Sequence, residues 1–125
     1  MINLDYRDSK SLHEQIEAGF RELIVKGIMK PDEQLPSVRE LSINLTVNPN
    51  TVQKAYKQLE LDGYIYSVRG KGNFVSDAKD VLDAQGTNAL YESLGATLRE
   101  LMFLGEDKAS VKALVDRIYS QKEEK

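Results

Sequence analysis

The sequence predicts a mainly α chain with one small β-hairpin, in which a compact N-terminal domain is followed by a short helical tail. Three observations predict it. Two Ser-x-x-Glu capping boxes, Ser11 to Glu14 and Ser37 to Glu40, each open an amphipathic stretch, and Asn48-Pro49 opens a third. Ile65 to Val75 places two short apolar runs around a glycine-containing turn, the pattern of a hairpin. From Asn88 onward apolar residues recur at helical spacing with no further strand signal.

Residues 1–10 form a polar lead-in with Ile2, Leu4 and Tyr6 as apolar anchors that extend against the domain. The helix opened by Ser11 carries Ile16, Phe20, Leu23 and Ile24 on one stripe and stops at Gly27, so its role is support. His13, in its first turn, reads as a packing or solvated residue. Ile28 to Gln34 is expected as a loop, with Lys30-Pro31-Asp32 turning the chain into Leu35.

A second helix starts at the Ser37 cap and buries Val38, Leu41 and Leu45, which leaves Arg39 pointing elsewhere. A third follows after Thr46-Val47-Asn48, with Asn48 as its cap and Pro49 at its first position, where the missing N–H costs nothing. It should run to Asp62, with Gly63 free to adopt the left-handed conformation behind it. Two helices meeting across about three residues make a helix-turn-helix. The third helix packs through Val52, Ala55, Tyr56 and Leu59. Its other side carries Asn50, Lys54, Lys57 and Leu61, flanked by Thr51 and Gln53. Such amides and lysines suit base edges and phosphates in a major groove, and they equally suit an ordinary solvated face.

The hairpin weighs toward the groove. Ile65, Tyr66 and Val68 form one strand, Phe74 and Val75 the other, and the tip is Arg69-Gly70-Lys71-Gly72. Two cations on a glycine-permissive turn can approach a phosphate backbone closely. A nucleotide-binding P-loop would need a longer glycine spacing ending in Lys-Ser or Lys-Thr, and then a helix rather than a strand.

Taken together, Leu35-Pro36-Ser37-Val38-Arg39-Glu40-Leu41, Val47 to Tyr56, Leu59-Glu60, Gly63, Arg69 to Gly72 and Phe74-Val75 resemble the winged helix-turn-helix domain of GntR-family transcription regulators. The Asn-Pro-Asn-Thr-Val form and the short tail are similar to the small YtrA-type subgroup. The resemblance covers most of residues 10–76, and Glu14-Gln15-Ile16 matches the family's first helix. It implies that Arg39 is the base-reading arginine, where a bidentate contact to guanine discriminates by about 1 to 3 kcal/mol. Asn50, Thr51, Gln53 and Lys54 follow as groove residues, Ser37 and Asn48 as phosphate contacts at helix N-termini, and Arg69, Gly70 and Lys71 as the wing contact. Pro49 and Gln53 stand where some members carry arginine, so a different base sequence is expected. Two positions depart from the pattern. Asp32 and Thr46 occupy places where the family commonly has Gly; at Thr46 either the turn is built differently or strain is tolerated.

Residues 77–87 read as a polar linker or partly helical connector in which Val81 and Leu82 could pack. In the tail, Leu90, Leu94, Leu98, Leu101 and Met102 form one stripe ending near Gly105, and Val111, Leu114, Val115, Ile118 and Tyr119 form another from Asp107 onward. Two such stripes exceed what so small a tail can bury, so a second copy is expected to cover them. The alternative is that they fold back on their own domain. The expected organisation is a winged helix-turn-helix DNA-binding domain over residues 1–76, a linker over 77–87 and a two-helix dimerisation tail over 88–125.

Length and charge narrow the function. A chain of 125 residues has no room for a large second domain. The net charge of −3 excludes a generally basic coat, so affinity for DNA must come from local patches. Cysteine is absent and histidine single, so no thiolate metal site, zinc site or cysteine nucleophile is expected, and an enzyme is not expected. No cofactor is implied. The N-terminus lacks a basic segment followed by an apolar run, so the protein is expected to be cytoplasmic with no membrane association. The reading is a homodimeric repressor on a palindromic double-stranded operator; the alternative is a winged-helix protein-interaction module without sequence-specific DNA binding. No effector pocket can be read from the tail, and any effector is left unidentified by the sequence; one bound between the tail helices and the winged domain would shift the relative positions of the two DNA heads.

Overall fold

The structure, a computed structural model, describes residues 2–123, with side chains through 121. The elements run α1 (Leu12–Val25), α2 (Val38–Leu45), α3 (Pro49–Leu61), β1 (Ile65–Val68), β2 (Gly72–Val75), α4 (Ala78–Gln85), α5 (Asn88–Phe103) and α6 (Lys108–Glu123). The chain divides into two compact units, with the boundary between Gly86 and Thr87. Among the described residues no helix is long and apolar enough to cross a membrane.

In the first unit the local signals act as expected. Ser11 and Ser37 both close complete capping boxes, and the Asn48 side chain accepts from the Asn50 N–H at 2.8 Å. Each box satisfies two backbone groups that the helix itself leaves unpaired, worth about 1 kcal/mol apiece. The stripes meet in one core, whose fully buried large side chains are Ile16, Phe20, Val52, Leu59, Ile65 and Val75. Helix α3 is central, packing against α1, α2 and β1. Phe20 and Tyr56 meet edge to face across α1 and α3, ring centroids 5.7 Å apart.

The lead-in is anchored by Ile2 and Leu4, while Tyr6 stays in solvent. Ile2 packs close over Gly19, where a Cβ would stand 2.5 Å from the Ile2 Cδ1 in its present rotamer. Gln15 then brackets the Asp5 backbone, accepting from its N–H at 2.7 Å and donating to its carbonyl at 2.8 Å.

Strands β1 and β2 pair antiparallel, Ile65 opposite Val75 and Val68 opposite Gly72. The stretch before Leu35 is more ordered than a loop. Asp32 N–H donates to the Val75 carbonyl, Val75 N–H to the Glu33 carbonyl and Leu35 N–H to the Asn73 carbonyl, all within 2.9 Å. A third extended segment therefore lines the outer edge of β2. Since an isolated two-stranded hairpin is marginal in water, this segment supports the wing together with the packing of Ile65 and Val75 in the core.

Residues 77–87 are helical over Ala78–Gln85, opened by an Asp77 to Asp80 capping box. Val81 packs on the core, and the Gln85 amide donates to the Asp62 carbonyl at 2.7 Å. This helix seats on Gly63, where a Cβ would stand 2.7 Å from the Asp80 carbonyl oxygen.

The second unit consists of α5 and α6, sixteen residues each, joined across Gly105. None of its described residues through 121 is buried; Leu98, Leu101 and Val111 are half-buried around an open cleft of about 620 Å³. Leu90, Leu94, Met102, Phe103, Ile118 and Tyr119 are each more than half exposed. Two helices with this much bare apolar surface lack a core of their own.

Candidate nucleic-acid interface

Three structures carry the residues singled out from the sequence: the start of α2, the start of α3 and the hairpin tip. Arg39 lies in the first turn of α2, exposed, and its guanidinium has no ion-pair partner among the described residues. Asn50, Gln53 and Lys54 are exposed on α3, and Thr51 is half-buried. Ser37 and Asn48 are both engaged as caps, which specifies what each still has to offer. The Ser37 Oγ accepts the Glu40 N–H at 3.0 Å and keeps its hydroxyl proton; Asn48 Oδ1 is occupied and its amide NH₂ remains. Both residues thus present donors, the chemistry a phosphate requires.

The relative placement of the two helices is set by the turn between them. Thr46 has φ 55 and ψ 51, in the left-handed region, and Asp32 has φ 69. Of the two alternatives at Thr46, strain is the one adopted, and the turn keeps the geometry a glycine would take. Val47 N–H closes it by donating to the Ser42 carbonyl at 3.0 Å. Tyr56 of α3 also reaches across, its hydroxyl donating to the Pro36 carbonyl at 2.7 Å. Burial first, and then the charge of Glu40, push its ionisation well above the usual tyrosine range, so it remains a donor at any physiological pH.

At the hairpin tip Arg69, Gly70 and Lys71 are all exposed, and nothing stands within 4 Å of where a Gly70 Cβ would be. The strands below are clamped. Tyr66 and Phe74 stack with centroids 5.6 Å apart, and the Tyr66 hydroxyl donates to Asp32 Oδ1 at 2.6 Å, which raises the ionisation of the phenol.

Two features were not visible in the sequence. Lys54 lines a shallow cleft between α1 and α3 together with His13, Glu14, Glu17, Gln58 and Asp62. Glu17 is buried there, on the stripe side of α1, and is held by His13 Nδ1 at 2.8 Å. An i to i+4 His-Glu pair is a detectable signal, but burial of the Glu depends on α3. The second feature is Gln34, whose side chain runs to the hairpin tip. Among the described residues no group of three or more His, Cys, Asp or Glu side chains could hold a metal ion.

Comparison with known proteins agrees with this architecture. Residues 12–75 match the family described as bacterial regulatory proteins, gntR family. The HTH-type transcriptional repressor YtrA of Bacillus subtilis (strain 168) is 43% identical over 106 residues, spanning 84% of this chain and 82% of its own. Among solved structures, a transcriptional antiterminator from Listeria monocytogenes EGD-e superimposes with a TM-score of 0.77 at 34% identity, covering 98% of this chain and 91% of that one. The DNA-binding domain of AraR in complex with an operator superimposes over 61% of this chain and 93% of its own, with a TM-score of 0.53 and 29% identity. The chain belongs to the GntR family of bacterial regulatory proteins.

Proposed function

We propose that the chain is a transcription repressor that binds a palindromic operator as a homodimer, acting in the cytoplasm. The observation that carries the DNA-binding half is the set of free donors gathered on rigid elements. Arg39 has no ion-pair partner among the described residues, Asn50 and Gln53 are exposed at the start of α3, and Lys71 sits on a clamped wing. In this reading α3 enters the major groove and Arg39 pairs with guanine. Asn50, Thr51, Gln53 and Lys54 face bases or nearby phosphates, Ser37 and Asn48 donate to phosphates, and Arg69, Gly70 and Lys71 meet the backbone beside the groove. Donors fixed by caps and packing lose little entropy when they bind.

The dimer half of the proposal comes from the tail. Helices α5 and α6 leave their apolar stripes bare, and a second copy with the same stripes is the self-complementary partner a two-fold assembly provides. A two-fold protein reads two related half-sites, which is why the operator is proposed as a palindrome.

The test is binding to the DNA upstream of the protein's own gene against a scrambled duplex at about 150 mM salt, together with the mass in solution. A preference of about a thousandfold by a dimer is the expected result. Absence of binding to either duplex at low salt overturns it and leaves the protein-interaction module as the better account.

A further inference from the structure

We propose that Gln34 is a positioning residue for the wing, holding Lys71 in the orientation in which it meets DNA. Lys71 lies between two glycines of positive φ, Gly70 at 78° and Gly72 at 122°. Residues so flanked turn easily, because the glycines on both sides admit conformations closed to other residues. Two hydrogen bonds oppose that freedom. The Lys71 N–H donates to the Val68 carbonyl at 2.9 Å, a bond internal to the hairpin turn. The Lys71 carbonyl accepts from the Gln34 Nε2 at 2.8 Å, across 37 residues of sequence.

The Gln34 end of this bond is itself fixed. Its backbone bridges to Phe74, and its neighbour Leu35 donates to the Asn73 carbonyl at 2.9 Å. The fit to Gly72 is close: a Cβ there would stand 2.8 Å from the Gln34 Nε2, so the amide occupies the space a side chain would need. Chemistry also favours glutamine at this place. An amide donates to the carbonyl and adds no charge beside a tip that must approach phosphates; a glutamate of the same shape would neither donate nor tolerate the phosphate field.

The geometry of the latch is independent of function, whereas its consequence for affinity rests on the DNA-binding reading. The experiment therefore has two arms on the full chain, with Gln34→Met as a variant of similar length and no donor. In the free protein, backbone ¹⁵N relaxation at Gly70, Lys71 and Gly72 should show order parameters near about 0.85 in the wild type and below about 0.6 in Gln34→Met, with the melting temperature unchanged. A tip as rigid in the variant as in the wild type overturns the proposal. In the second arm, wild type, Gln34→Met, Lys71→Ala and the double variant are titrated with operator and scrambled duplexes across a range of salt. Gln34→Met should weaken both duplexes by about two- to tenfold and lower the salt slope toward that of Lys71→Ala. The double variant should bind no more weakly than Lys71→Ala alone. Additive losses would mean that Gln34 acts apart from Lys71 and would overturn the positioning role. If the wild type binds neither duplex, the function reading fails, and the relaxation arm alone decides the latch.

Discussion

The hydroxyl of Tyr56, midway along α3, donates a 2.7 Å hydrogen bond to the carbonyl of Pro36, the residue just before the Ser37 cap of α2. One bond thus ties the entry of the Arg39-bearing helix to the body of the helix proposed for the groove. Replacing Tyr56 by Phe leaves that carbonyl unpaired in a part-buried place and should cost about 1 kcal/mol at neutral pH, measured by urea unfolding. The pH dependence follows from the direction of the shift. The folded-state ionisation of Tyr56 is raised, so its contribution is complete below the unfolded tyrosine value of about 10 and is lost as pH climbs toward the folded value. The stability gap between wild type and Tyr56→Phe should therefore hold constant through neutral pH and change only above about 10.

Gly63→Ala should be among the most damaging small substitutions. The residue has φ +87, and the new methyl group would stand 2.7 Å from the Asp80 carbonyl oxygen and 2.9 Å from the Ala84 Cβ. Backbone strain and displacement of α4 together should lower stability by about 2 to 4 kcal/mol, read as a drop in melting temperature.

Thr46→Gly should do the opposite. A β-branched residue at φ 55 pays roughly 1 to 2 kcal/mol for its left-handed backbone, and glycine removes that cost while giving back about 0.5 to 1 kcal/mol through the unfolded chain. A net gain of up to about 1.5 kcal/mol in denaturant unfolding is expected. A loss instead would mean that the Thr46 side chain makes a contact that outweighs the strain.

Arg39→Ala and Lys71→Ala should separate into two kinds of effect. The first should erase about 1 to 3 kcal/mol of preference for operator over scrambled duplex. The second should weaken both duplexes alike and reduce the salt slope by about 1. Equal weakening of every sequence by both variants would remove Arg39 from the role of base reader.

In the tail, Leu94→Glu combined with Ile118→Glu places charges on two exposed apolar positions while leaving the winged unit intact. Sedimentation should show the mass falling from a dimer to a single 14.1 kDa chain. Helical content of the winged unit, and its weak non-specific DNA binding, should persist.

The elements that the sequence disclosed are those whose causes lie within a turn of helix or a tight hairpin. The Ser11 and Ser37 boxes, the Asn48-Pro49 start, the Gly27 and Gly63 stops and the Val52, Ala55, Tyr56, Leu59 stripe all act over three or four residues, so their chemistry is written in adjacent letters. The exposed polar positions of α3 and the tip could be listed from the same periodicities, whereas the base-reading role proposed for Arg39 comes from the family resemblance and not from its position on α2. Tertiary structure decided the rest. That 32–35 lines β2, that Gln34 reaches Lys71, that Glu17 is buried beside Lys54, and that α4 seats on Gly63 all depend on contacts between distant residues. Lys30-Pro31-Asp32 does turn the chain, but the stretch from Asp32 to Leu35 looks like a loop because its backbone partners, Val75 and Asn73, lie some forty residues downstream. An extended edge segment has no periodicity of its own to announce it, and only the closed fold supplies the strand it pairs with.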